Sequence, residues 1–298
     1  MGEILVGVDG SDSARAALRW GAAIAEQLGR GLRVVWVWSY PADTVAQVQI
    51  DLPPAWDMDR RTREQLDEFV ADTVASAAPQ ATLHVRRGHA VEALLQEARR
   101  DVDMIVVGSR GLGGFRQLLL GSVSGQLCEY APCPVVVVRD DTVIRPGRLA
   151  TVVVGVDGSP GAARALRWAA SLAQDADAEV VLAHAAMSPR QQPRTAAGNG
   201  MEAVRAEVER WAEALSEHDV PYRIALAEGD PRLTLLEIAD RETADLLVVG
   251  SRGRGSLAGL TLGSVARELA QHSERPITIV PPTARTESLE APMRARSR

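Results

Sequence analysis

The sequence predicts an α/β fold: two tandem open five-stranded parallel sheets, each of strand order 3-2-1-4-5, with helices on both faces. Three observations predict it. The chain has 298 residues, about two domains' worth at roughly 150 residues each. It also repeats itself. ILVGVDGSDSARAALRW at 4–20 returns as VVVGVDGSPGAARALRW at 152–168, and IVVGSRGLGGFRQLLLGS at 105–122 returns as LVVGSRGRGSLAGLTLGS at 247–264, so one half-chain unit occurs twice. Within a unit, short Val-rich runs alternate with stretches of helical periodicity. That alternation, with right-handed crossovers and a topological switch, gives the stated strand order.

The elements follow in order. Residues 3–8 are an apolar run closed by Asp9-Gly10, as in a strand buried on both faces. Ala14, Ala17, Leu18, Gly21, Ala25 and Leu28 recur at helical spacing, and Gly29 and Gly31 stop that helix. Residues 32–38 form a second strand. Leu66, Phe69, Val70, Thr73, Val74 and Ala77 mark a second helix, and 83–86 a short strand. Residues 91–99 are helical and apolar on one face; 104–107, 122–130 and 134–138 read as strand, helix and strand.

The first unit is placed at 1–140, a linker with Pro146-Gly147 at 141–149, and the second unit at 150–282. The second unit is six residues shorter between its motifs. The deficit is assigned to 40–62 against 188–203, both of which carry Pro and polar residues and read as irregular loops. The Arg-rich stretch 283–298 has no periodicity and is expected to be disordered.

Composition narrows the class. Hydrophobic residues make up 46% and charged residues 24%, as in ordinary globular proteins. A net charge of −6 gives no electrostatic reason to expect nucleic acid as a partner. No apolar run approaches the ~20 residues of a membrane helix, and the chain passes from Met1 into a strand without a signal pattern. No membrane partner is expected. Cys128 and Cys133 lack zinc-site spacing and are expected to be reduced thiols in a cytoplasmic protein. His84, His184, His218 and His272 form no cluster with metal spacing, and no metal site is expected.

The residues that carry chemistry follow the fourth strand. Gly108-Ser-Arg-Gly111, nine residues, then Gly121-Ser122 is matched by Gly250-Ser-Arg-Gly253, nine residues, then Gly263-Ser264. Glycines let backbone N–H groups approach an anion, and the helix opening at Ser122 adds free N–H groups and the positive end of its dipole. Ligands in doubly wound sheets bind at the carboxyl ends of the strands beside the switch, where Asp9 and Gly108 fall. Without a ligand the same residues would be tight turns and helix caps.

The pattern G-x2-G-x9-G-[ST] after a strand, with an early V-G-V-D-G-S, resembles the universal stress protein family in its ATP-binding branch. The resemblance covers both halves and extends to Gly229-Asp230-Pro231 before a helix; copy one departs there, with His89 where copy two has Asp230. It implies an adenine nucleotide alpha hydrolase-like fold, ATP as ligand with Mg held through its phosphates, and a stress-response role. It implies that Asp9 and Asp157 line an adenosine pocket and that Val37 and Ala185 offer backbone to the adenine. Gly108, Gly111, Gly121 and Ser122, with Gly250, Gly253, Gly263 and Ser264, would hold ribose and phosphates. Arg110 and Arg252 are either phosphate contacts or solvated arginines, and Asp9 is alternatively a charge at a helix N-terminus. Val123-Ser124 and Val265-Ala266 lie in the first turn of the phosphate-facing helix; a hydroxyl at Ser124 alone would favour the first site. The edge strands 135–138 and 277–280 are expected to pair antiparallel into an internal pseudo-dimer, as family dimers do, and two chains to associate further.

Catalytic chemistry finds little support. The chain contains no lysine and cannot supply a Walker loop. Val123 occupies the middle of Gly121-Ser-Val-Ser-Gly125, so it is not a nucleophile elbow. Gly111-Leu-Gly113-Gly114-Phe-Arg116 breaks the dinucleotide pattern at its third glycine. No catalytic residue is assigned, and slow ATP hydrolysis is the most the sequence allows. The competing reading is a nucleotide-independent interaction protein.

Overall fold

The computed structural model describes residues 2–40, 53–74, 81–99, 101–112, 120–140, 142, 148–186, 200–215, 218–255 and 262–285. The first unit runs β1 (Glu3–Val8), α1 (Asp12–Leu28), β2 (Gly31–Trp38), α2 (Ala55–Val74), β3 (Ala81–Arg87), α3 (Ala90–Glu97), β4 (Val102–Gly108), α4 (Ser122–Tyr130) and β5 (Val135–Val138). The second runs β6 (Thr151–Gly155), α5 (Pro160–Ala176), β7 (Glu179–Ala186), α6 (Gly200–Ala212), a 3-10 turn at Glu213–Leu215, β8 (Tyr222–Glu228), α7 (Pro231–Arg241), β9 (Leu246–Gly250), α8 (Ser264–His272) and β10 (Ile277–Val280).

Each unit has the expected order 3-2-1-4-5, with parallel neighbours throughout. The two sheets are not separate. β5 and β10 pair antiparallel, Ile277 with Val137 and Ile279 with Val135. The result is one sheet of ten strands, β3-β2-β1-β4-β5-β10-β9-β6-β7-β8. Pairing leaves neither central edge open, which removes the tendency of an unpaired edge to recruit another strand.

The strand faces sort the core into two layers. Ile4, Val6, Val34, Val136, Val154 and Val248 point to the side of α1, α2, α5 and α6 and bury Trp20, Phe69, Leu166 and Trp168. Leu5, Val35, Ile105, Val153 and Ile279 point to the side of α3, α4, α7 and α8 and bury Leu94, Leu127, Leu235 and Leu269. Strands buried on both faces explain why these runs are continuously apolar rather than alternating. Cys128 and Cys133 are buried free thiols; burial raises both, Cys133 to about 12, so neither is a reactive thiolate. Among the described residues no helix is long and apolar enough to cross a membrane, and no acidic, His or Cys group has metal-binding spacing.

Three expectations need correction. α2 begins at Ala55, so 55–62 is helix rather than loop. Its first turn is held by Asp57, which pairs with Arg60 at 2.8 Å and Arg61 at 2.9 Å. Likewise Gly200 to Ala203 belong to α6; residues 41–52 and 188–199 of the two assigned loops lie outside the described residues. The linker's last residue is not a free spacer: Leu149 is buried, and its N–H donates to Gln27 Oε1 at 2.7 Å. The tail's first residues cross to the first unit, where Thr283 Oγ1 donates to the Ala131 carbonyl at 2.9 Å and the Arg285 N–H to the Pro132 carbonyl at 2.9 Å. Linker residues 141 and 143–147, the tail from 286, and Gly113, Gly114 and Arg116 lie outside the described residues.

The seam also carries charge. Arg30 of the first unit pairs with Asp175 of α5 at 2.8 Å and with Asp103 of β4 at 3.3 Å. Gln27 Nε2 donates to the carbonyls of Leu149 at 3.1 Å and Ala176 at 3.0 Å.

Candidate functional site

β1 and β4 diverge at their carboxyl ends, Val8 and Gly108, because the chain leaves them for opposite faces of the sheet. The last residue of β2 paired to β1 is Trp36, opposite Val8. Val37 lies one residue further and is paired only on its β3 side, with Arg86. A cavity of about 780 Å³ opens there, lined by Asp9, Val37, Gly108, Arg110, Gly111, Gly121, Ser122, Val123 and Ser124. All nine residues of the first unit that the sequence assigned to a site therefore share one cavity. Its apolar wall, Val35, Ala90, Leu94, Val107 and Leu112, was not assigned. Val35 was within reach of sequence reasoning, since it shares a strand face with Val37; Ala90 and Leu94 come from α3, which only the fold brings here.

Asp9 holds the site's two loops together. Its Oδ1 accepts from the Ser11 N–H at 3.1 Å and the Ser11 hydroxyl at 2.7 Å, and its Oδ2 from the Leu112 N–H at 3.1 Å. Ser11 in turn caps α1 by accepting from the Ala14 N–H at 3.2 Å. The second unit repeats this: Asp157 accepts from the Ser159 N–H and from the Arg254 N–H, both at 2.9 Å. Both readings of Asp9 thus apply, since it sits at a helix start and lines the cavity.

The glycines are required by close approach of protein to protein. A Cβ at Gly111 would overlap Asp9 Oδ2, and one at Gly253 would lie 2.5 Å from Asp157 Oδ2. A Cβ at Gly108 would lie 2.5 Å from Ser13 Oγ, and one at Gly250 would lie 2.5 Å from the Gly161 carbonyl carbon. Ser13, which the sequence reading passed over, donates its hydroxyl to the Arg110 carbonyl. The Gly121 N–H donates to the Ser109 carbonyl at 2.7 Å and that of Gly263 to Ser251 at 2.8 Å, closing each loop onto its helix.

The groups free to meet a ligand are fewer. Gly121 and Gly263 provide no capping side chain for α4 and α8. The N–H groups of Ser122, Val123 and Ser124, and of Ser264, Val265 and Ala266, therefore lack acceptors within their helices. The Ser122 hydroxyl and the Arg110 guanidinium form no hydrogen bond or ion pair among the described residues and line the cavity. Ser124 behaves differently. It is buried, and its hydroxyl faces the Ser109 carbonyl at 3.2 Å and the Gly121 carbonyl at 3.1 Å rather than the open space. In the second unit Asp157, Gly250, Arg252 and Gly253 follow the carboxyl ends of β6 and β9, Gly263, Ser264 and Val265 open α8, and Ala185 lies on β7 beyond Ala183, the last residue paired to β6.

Fold and loops together define a tandem doubly wound α/β protein with a glycine-rich loop at the switch point of each half. The sequence profile of the universal stress protein family matches residues 1–139 and again 149–281. The chain belongs to the universal stress protein family. It is 32% identical over 293 residues to a universal stress protein of Mycolicibacterium smegmatis, covering 94% of this chain and 97% of that one. It is 32% identical over 290 residues to one of Mycobacterium tuberculosis, covering 93% and 95%. A universal stress protein from Archaeoglobus fulgidus has the same fold, with a TM-score of 0.70, 21% identity and coverage of 94% and 98%.

Proposed function

We propose that the chain is an ATP-binding universal stress protein, a nucleotide-dependent stress-response or signalling module of the cytoplasm. The observation that carries the reading is the first-unit cavity. Its about 780 Å³ lies in the range of small-molecule sites, roughly 300–1,000 Å³. It joins an apolar slot to one anion-binding corner. Val35, Val37 and Leu94 offer the slot for an adenine. The uncapped start of α4, the Ser122 hydroxyl and the Arg110 guanidinium suit phosphates, and Mg would be held through those phosphates.

Hydrolysis would be slow at most. Asp9, a carboxylate lining the cavity, is occupied by Ser11 and Leu112, and no other candidate general base among the described residues lines it. One observation favours the rival, a nucleotide-independent interaction protein: Gly108, Gly111, Gly250 and Gly253 each have a packing reason that needs no ligand.

Acid extraction of the purified protein followed by nucleotide chromatography decides between them. ATP released near two equivalents per chain is expected. A nucleotide-free protein that also takes up no ATP in calorimetry would overturn the reading.

A further inference from the structure

The two units place a cation on an equivalent aromatic ring from different elements. In the first unit Arg15 of α1 stacks on Phe69 of α2, 4.7 Å from the ring centroid, and donates to Thr73 Oγ1 at 3.2 Å. Among the described residues of the motif loop none stacks on Phe69, and Leu112, one residue after Gly111, is 71% exposed. In the second unit α5 has Ala163 at the position of Arg15, and the cation comes from the motif loop itself. Arg254, one residue after Gly253, lies 5.3 Å from the Trp211 centroid of α6, and its Nη2 pairs with Glu207 Oε1 at 3.1 Å. Trp211 is fixed beneath it. Its Cζ2 would lie 2.5 Å from a Cβ on Gly158, and His184 meets its ring edge-on at 5.4 Å.

We propose that Arg254 is a coupling residue that ties the second motif loop to helix α6, so that a nucleotide on that loop is felt at α6. The proposal rests on the nucleotide reading for its ligand and on the stack alone for its tether. The Arg254 N–H holds Asp157 while its side chain holds Trp211 and Glu207. Any shift of the loop toward phosphates therefore moves the guanidinium on the indole. Arg254 stands at the position where Leu112 lines the first cavity, so the stacked residue lies at the wall of the second site.

The test uses the full chain and two arms. Without ligand, hydrogen exchange of the 251–255 amides should accelerate roughly tenfold in Arg254→Leu, the scale of losing one cation–π contact and one exposed ion pair, with 109–112 unchanged. Arg254→Lys, which keeps charge but not the planar stack, should fall between. With ATP, the part of the fluorescence change that Trp211→Phe removes should vanish in Arg254→Leu. Unchanged exchange in Arg254→Leu overturns the tether, and an ATP-driven Trp211 signal surviving in that variant overturns the coupling. A wild-type chain that binds no ATP overturns the nucleotide reading instead, and the exchange arm still decides the tether.

Discussion

Asp9 Oδ2 and the Cα of Gly111 face each other so closely that a Cβ on Gly111 would overlap the carboxylate, which at the same time accepts the Leu112 N–H at 3.1 Å. The motif glycine and the early aspartate are therefore one device, although about a hundred residues separate them. Gly111→Ala should push the carboxylate off Leu112 and cost about 1–3 kcal/mol of stability, the scale of an overpacked site. In an Asp9→Ala background the same substitution meets open space and should cost little. Thermal denaturation of the two single variants and the double variant measures this coupling; strictly additive losses would refute it.

Ser124 makes a second case in which the loop matters before any ligand does. Its hydroxyl is spent on the Ser109 and Gly121 carbonyls, so the expectation that it gives the first site a phosphate contact loses its basis. Ser124→Ala should lower stability by about 1 kcal/mol, the net worth of one hydrogen bond, and change ATP affinity by less than about threefold. Unchanged stability with a tenfold or larger affinity loss would restore the phosphate role.

What the sequence disclosed and what it withheld follow from range. The repeat, the strand order and the cavity residues were legible because parallel strands buried on both faces are unbroken apolar runs, and because Gly108, Gly111 and Gly121 sit at turns. The start of α2 was not legible. Trp56 is 68% exposed and Arg60 and Arg61 face solvent, so that turn shows no apolar stripe and is held by charge pairs instead. The Arg254–Trp211 stack and the Arg30–Asp175 pair join residues 43 and 145 positions apart, and nothing local in either segment points to its partner. The packing reason for Gly108, Gly111, Gly250 and Gly253 was equally hidden, since a tight turn and a ligand-facing turn call for the same residue.

The difference between His89 and Asp230 offers a third test. Both are helix N-caps in extended conformation, but Asp230 accepts from the Arg232 N–H at 3.0 Å, whereas His89 makes no side-chain cap bond. His89→Asp should therefore stabilise the first unit by about 1 kcal/mol, within the range for N-cap exchanges. Differential scanning calorimetry reads it as a higher midpoint for that unit. A lower midpoint would show that α3 is oriented by something other than its cap.

The seam should respond to pH. Asp103 is 4% exposed, and burial raises its carboxyl to about 6 despite Arg30, with Asp175 and Asp101 pushing the same way. Asp175 is also raised by its burial at the seam. Two carboxylates thus share one guanidinium. The sign follows from proton counting. Between the ordinary value of 3.8 and about 6 the folded chain holds a proton on Asp103 that the unfolded chain has lost. This group's contribution therefore falls as pH rises through that window, by up to about 3 kcal/mol. Glu97, whose burial raises it but is outweighed by Arg86 and His84 together, and Glu242, lowered by Arg223 and Arg241 against its burial, act in the opposite sense as pH falls. The comparison that isolates Asp103 is Asp103→Asn against wild type in urea unfolding at pH 4.5 and pH 7. The variant should gain stability relative to wild type at pH 7, because Arg30 keeps Asp175, and the gain should shrink at pH 4.5. An equal difference at both pH values would show that Asp103 is ionised across the whole range and that Arg30 outweighs its burial.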